Sequence, residues 1–476
     1  MTGKKKGVFA FMLDKQPQLH LSGCPCHLIH LAAEKGASQL PFNIDEILVD
    51  IYYYLDKSSK RLSGLGEWQK LYDVEHKTIL RHVSTRWLSI GKSLDRVLEN
   101  WNALKQFFHE EANTIRENAR KKTQKEHSKS ESASVKMSSK SVTKGQKSKS
   151  TNPPSKKPNS KVPTTSGNEN KDMKSCAPQL SKAERLETFF KSPTNKLYCL
   201  FLKYAMKSFD QVNVKLQNEA PPIHKLQSIL TKLMRDLLVR FITPAGMHSV
   251  HVTEVSLDDE KLLKPASEVL IGEEARKFIS MKTEMHLRDS RIEEFYANAR
   301  LFYVASCKYI KQKFPLTDTL LSHAEVADID LQLHKSLSDL QYFQKKYPCL
   351  VPVGCSLDTR EMEYTTYQSY ELPKALLEID RMDKKWVRLS EVKDATDEMM
   401  FSNLSKFMLG ILTIPHSNAA CERVFSVVRK NKTYQRASLG LLQIKASETE
   451  PHNNRYTPEK LRRLKSAYYE SLKKYD

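Results

Sequence analysis

The stretch Phe401 to Ile444, FSNLSKFMLGILTIPHSNAACERVFSVVRKNKTYQRASLGLLQI, constrains the chain more than any other, because an apolar stripe, a helix break and one carboxylate meet within it. Phe401, Leu404, Phe407, Met408, Ile411 and Leu412 recur at helical spacing and make one apolar face. Pro415 stops that helix, since its ring removes an amide donor and clashes with the preceding turn. Ser417 and Asn418 then offer cap oxygens for a second helix carrying Ala420, Val424, Phe425 and Val428. The pattern predicts a short helical hairpin that is greasy on one side. A face that broad on a hairpin needs a partner, so Leu404, Phe407, Met408, Ile411, Val424 and Val428 are expected to form a dimerisation surface. Glu422 falls in the first turn of the second helix, where the helix dipole favours a carboxylate; on the residues alone it reads as a helix-start glutamate.

At 476 residues the chain is long enough for two or three domains. Lys and Arg number 77 against 56 Asp and Glu, and the formal net charge of +21 is what a chain meeting polyanions carries. Charge does not distinguish DNA from RNA or from acidic protein surfaces. No run approaches the eighteen apolar residues of a membrane span, and the basic N-terminus lacks a small-residue cleavage site, which reads as a soluble, unsecreted chain with no membrane partner. The eight cysteines are scattered, as reduced intracellular thiols are. Few Gly and much Leu and Lys tilt the expectation toward helix.

In chain order, Leu19 to Cys24 can make a short strand, and Cys26 to Gly36 reads as a helix with Leu28, Leu31 and Ala32 inward and Gly36 as its stop. Cys24, Cys26, His27 and His30 invite a zinc reading, but four ligands within seven residues do not easily close a tetrahedron, so packing is favoured and no metal is assigned. Residues 43–62 predict a helix capped by Asn43. Trp87, Leu94, Leu98, Trp101, Leu104 and Phe108 predict the core face of one long helix, with Arg86 a cation at its start. From Arg120 to Lys174 there are fifteen Lys or Arg against four Asp or Glu and almost nothing apolar, which predicts a disordered basic linker. Such a tract either clamps phosphates, or serves as an import signal at Lys156 and Lys157, or is merely solvated. Residues 181–242 read as helical, including a wide apolar face opened by Pro221 and Pro222 and closed by Pro244; further amphipathic patterns follow over 265–346, while 243–264 and 347–375 read as loops. The tail holds a helix from Pro458 to Lys474 with Arg462 and Arg463 on a basic face, available to nucleic acid or simply solvated.

PHSNAACERVFS resembles the A-x-x-E-R-x-F-S block of hAT-family (hobo, Activator and Tam) transposases, with Glu422, Arg423, Phe425 and Ser426 in the motif positions. Cys24 and His27 resemble that family's Cys-x-x-His block, and Arg86-Trp87 its Arg-Trp block, in family order. The resemblance implies a mainly α chain. Residues 1–116 would be a truncated ribonuclease-H-like remnant with few strands, 117–180 a disordered basic linker and 181–395 an all-helical insertion domain. Residues 396–446 would be the C-terminal dimerisation region and 447–476 a basic helical tail. In the family, two aspartates join the glutamate matched by Glu422 around two divalent metals that activate a nucleophile for phosphodiester attack. Both aspartates lie upstream of the Cys-x-x-His block there, and here Asp14 is the sole aspartate before Cys24, in the wrong context. One carboxylate cannot hold two hard cations, so Glu422 is expected to be idle, with no cofactor, magnesium being relevant only to a full triad. The resulting expectation is a catalytically inactive, transposase-derived nuclear (otherwise cytoplasmic) protein. It would homodimerise and touch DNA through the linker and tail. The alternative is a fragment of an active transposase whose aspartates lie in sequence upstream of Met1.

Overall fold

Helix formation follows the apolar periodicity along most of the computed structural model, which describes residues 7–431 apart from 18, 21, 83–89, 138–179, 219, 221, 249 and 285; over 125–137 and 429–431 it describes the helix backbone alone. The first helix, α1 (Val8–Lys15), buries none of its residues. No strand forms over the described part of Leu19 to Cys24. Instead Cys24 is the N-cap of α2 (Pro25–Ala37), whose opening proline sits where its missing donor costs nothing. Asn43 caps α3 (Ile44–Asp56) by accepting from the amides of Asp45 at 3.1 Å and Glu46 at 3.4 Å. Ser58 caps a separate α4 (Ser59–Leu71).

The single long helix expected after Trp87 is two, α5 (Ile90–Glu99) and α6 (Trp101–Met137). They part at Asn100, whose side chain is buried and donates to the Arg96 carbonyl at 2.8 Å while accepting from Gln69 at 2.8 Å. A side-chain amide bonded to its own backbone competes with the helical ladder. Helix α6 runs on to Met137, which corrects the expectation of disorder from residue 117. The packed first turns supply the costly nucleus, and Lys, Glu and Ala then propagate the helix. The remainder of that tract up to residue 179, with Lys156 and Lys157, lies outside the described residues, as do Arg86, Trp87, Arg462 and Arg463.

One compact unit comprises residues 47–81 and 96–196. It includes α7 (Lys182–Lys191), started by a reciprocal Ser181–Glu184 capping box and packed on α6. Its core is aromatic: Trp101 and Phe190 meet edge to face at 4.8 Å, Phe190 stacks on Phe108 at 5.7 Å, and Tyr54 leans on Phe108 at 5.5 Å. The segment from 181, expected to open an insertion domain, thus shares its core with residues 47–81.

The second unit takes in residues up to 46, 82–95 and from 197 onward. Its long members are α8 (Pro193–Leu216), α9 (Leu226–Leu238) and, after the short α10 (Pro244–Met247) and α11 (Glu273–Ser280), α12 (Asp289–Lys313). Phe201 collects Phe295, Phe302 and Tyr303 edge to face, at centroid separations of 5.4 to 5.9 Å. Helix α2 lies against α12, and Gly36 does not stop it: the helix continues to Ala37. A Cβ at Gly36 would stand 2.9 Å from the Phe302 carbonyl oxygen, so the glycine is there for close approach.

Beyond α13 (Thr319–Ala324) and α14 (Leu337–Lys346), the loop expected over 347–375 holds a full helix, α15 (Leu357–Ser369), capped by Ser356. Then come α16 (Lys374–Leu377), α17 (Met382–Leu389), α18 (Ser402–Leu412) and α19 (Ala419–Asn431). The protein is therefore mainly α. Among the described residues β structure amounts to two isolated bridges, Ile242 with Leu263 and Lys393 with Met399, and no ribonuclease-H-like sheet is present there.

Candidate functional site

The hairpin singled out by its periodicity is α18, a turn through Pro415, and α19. The carboxylate of Glu363 fixes the entry of α18, accepting from the Leu404 amide at 2.7 Å and the Asn403 side chain at 2.8 Å. Leu404, Phe407, Met408 and Ile411 are 0% exposed, turned onto α15 and α17 of the same protomer. This corrects their assignment to a dimer surface: the stripe is consumed by the protomer's own core. Trp386 of α17, which the sequence pattern did not single out, anchors that core and donates its indole N–H to the Ala327 carbonyl at 2.8 Å.

The turn into α19 is tied down on two sides. On one, the Leu216 carbonyl at the end of α8 accepts from His416 Nε2 at 3.2 Å and Ser417 Oγ at 3.1 Å, and the Gln217 carbonyl accepts from the Arg423 guanidinium at 3.0 Å. The last carbonyls of a helix have no partner in their own ladder and carry its negative end, so donors and a cation belong there. Burial holds His416 below its ordinary acidity range.

On the other side, the Asn418 amide donates to Cys24 Sγ at 3.4 Å, across 394 positions of chain. The adjacent Cys26 side chain, together with the Asn418 amide, outweighs burial and lowers the Cys24 thiol. Cys26, half-buried, is pushed up by its pairing with Cys24 and by burial. His27 is exposed and stacks on the buried His30 at 6.0 Å, and His30 is lowered to about 4, chiefly by burial.

Glu422 itself is exposed, its amide bonded to the Asn418 carbonyl at 2.9 Å as α19 begins. No group of three His, Cys, Asp or Glu side chains that could hold a metal occurs among the described residues, so neither the Cys24, Cys26, His27 and His30 set nor the surroundings of Glu422 forms a centre there. One carboxylate does not fit a pair of hard cations that each take several oxygens. What α19 does present is apolar. Val424 is 44% and Phe425 68% exposed, and Val428 is half-buried.

Residues 371–447 match the family model of the hAT family C-terminal dimerisation region. The chain thus contains an hAT-type C-terminal dimerisation region. No solved structure matches it. The matched region begins at Glu371, upstream of the expected boundary at 396, and so takes in α16 and α17 with the hairpin that packs on α17. Two of the three stretches that carry the resemblance come together: Cys24, beside His27, touches the helix start that carries Glu422, Arg423, Phe425 and Ser426. The third, Arg86-Trp87, lies outside the described residues. No helix among the described residues is long and apolar enough to cross a membrane.

Proposed function

We propose that this chain is an hAT-derived assembly protein. Two copies associate through the exposed apolar face of α19, built on Val424, Phe425 and Val428. The assembly meets nucleic acid through basic segments such as Lys156, Lys157, Arg462 and Arg463, in the nucleus, and cleaves no strand. In this reading residues 1–116 descend from a ribonuclease-H-like domain whose Cys-x-x-His block survives. The observation that carries it is the exposure of Phe425 on α19 of a dimerisation region whose α18 stripe, Leu404, Phe407, Met408 and Ile411, is fully buried. Large apolar groups left in water on such a helix favour a partner, at about 1.5–3 kcal/mol for each one fully covered. The net charge of +21 supports the nucleic-acid part.

The test is the solution mass of the full chain by sedimentation, with Phe425→Asp beside it. A dimer that the substitution converts to a folded monomer supports the reading; an unchanged mass overturns it. For catalysis, supercoiled plasmid is incubated with the protein and magnesium. Strand nicking by the wild-type chain that Glu422→Gln abolishes would sink the inactive part.

A further inference from the structure

At 3.6 residues per turn, Asn418, Cys421, Val424, Phe425 and Val428 fall within about one third of the circumference of α19. Cys421, Val424 and Phe425 are exposed, and from Ala419 to Val428 no side chain of the helix is buried. A helix of 13 residues with so little packing is marginal in water unless something covers it. Its start is nevertheless fixed, because His416, Ser417 and Arg423 are bonded to the end of α8. A cleft of about 560 Å³ opens at that start, on the side of Asn418. Leu19, Leu320, Tyr347, Leu350, Ile414 and Pro415 give it an apolar lining. Leu350 leans on α18, where a Cβ added at Gly410 would stand 3.3 Å from it. One wall of the cleft, Ile414 to Asn418, and the whole of α19 belong to the stretch 371–447 that matches a dimerisation region.

We infer, on the basis of the self-association proposed for α19, that two copies exchange anchors: Phe425 of each seats in the cleft of the other. Seven residues of helix, about 10 Å, separate Phe425 from Asn418 at the mouth of the cleft. When two α19 helices run antiparallel about a twofold axis midway, at Cys421 and Glu422, each Phe425 arrives beside Asn418 of the second copy. Such an interface uses one patch on both copies and closes on itself, so assembly stops at the dimer. A large ring entering a formed apolar pocket, from a helix whose start is already tied down, is the arrangement that concentrates binding in a few side chains. The same axis sets the two exposed Cys421 thiols opposite one another.

Those thiols report on the geometry directly. The full chain is treated with bismaleimidoethane, a short thiol crosslinker, and the product is mapped by peptide mass. The main link should join Cys421 of one copy to Cys421 of the second, and Phe425→Asp should abolish it. The cleft is probed apart from α19 by Ser22→Trp, since Ser22 is exposed and lines the cleft, and an indole there takes the space of the incoming ring. That substitution should weaken the dimer by about tenfold or more in sedimentation, as the loss of a central anchor does. A wild-type dimer that gives no link between the two Cys421 residues overturns the exchange whether or not the variant folds. So does a dimer whose affinity a folded Ser22→Trp chain retains. In both cases self-association through α19 still stands, whereas a wild-type chain that sediments as a monomer overturns it and the exchange together.

Discussion

Glu187 carries a charge inside the unit of residues 47–81 and 96–196, with its side chain only 2% exposed. Burial alone would raise its carboxyl, but Arg116, Lys191 at 2.6 Å and His109 at 2.7 Å outweigh it and hold the group at about 2, below the ordinary 4.5. Because the folded state favours the ionised form, the network stabilises the protein above about pH 4.5 and that contribution disappears as pH falls toward 2. A change of that size in acidity is worth about 3 kcal/mol, reduced to roughly 2 by the solvent around partly exposed partners. Glu187→Gln should accordingly lose about 2 kcal/mol in urea melts at neutral pH and almost nothing near pH 2; equal losses at both would refute the ion-pair account. A second position is conformational. Gly272 has φ +92, and a Cβ there would stand 2.7 Å from Tyr204 Cβ and Cγ. Gly272→Ala should cost about 2 kcal/mol or more, read from the same melts.

The helices of the hairpin separate two roles that one apolar pattern could not. Periodicity located both α18 and α19 and placed the break at Pro415, because spacing and proline sterics are local properties of the chain. It could not say which stripe would be covered from within, since the cover comes from Trp386 and from a helix, α15, in a segment that read as a loop. Residue Gly36 is the same case in miniature: its sequence setting suits a helix end, whereas its function is set by Phe302, far along the chain. The consequence is a pair of opposite expectations. Phe407→Ala removes a fully buried ring and should destabilise the protomer by about 3–5 kcal/mol, lowering its melting temperature without creating a folded monomer. Phe425→Asp touches a side chain that is 68% exposed, so it should leave protomer stability within about 0.5 kcal/mol and act on association instead. If calorimetry and sedimentation showed these effects exchanged, the assignment of the two faces would be reversed.

For the whole molecule, two charge-driven behaviours compete. Each copy carries +21, so bringing two together costs like-charge repulsion that salt screens, over about 10 Å at 0.1 M and about 3 Å at 1 M. An interface made by Val424, Phe425 and Val428 contributes no attraction that salt could weaken. Binding to a polyanion has the opposite dependence, since each phosphate neutralised releases a counterion whose entropy shrinks as salt rises. The basic excess behind both was legible from composition alone, whereas the partition into two compact units was not: it depends on α7 returning to α6 across the intervening tract. Titrating salt from about 0.05 to 0.5 M should therefore move two measurements in opposite directions. Self-association, followed by sedimentation, should hold or tighten. Affinity for a duplex of mixed sequence, followed by fluorescence anisotropy, should fall by more than about tenfold. A dimer that dissociates with salt would mean that ion pairs, not the apolar face of α19, join the copies. An affinity for duplex that ignores salt would mean that the charge surplus does not meet phosphate.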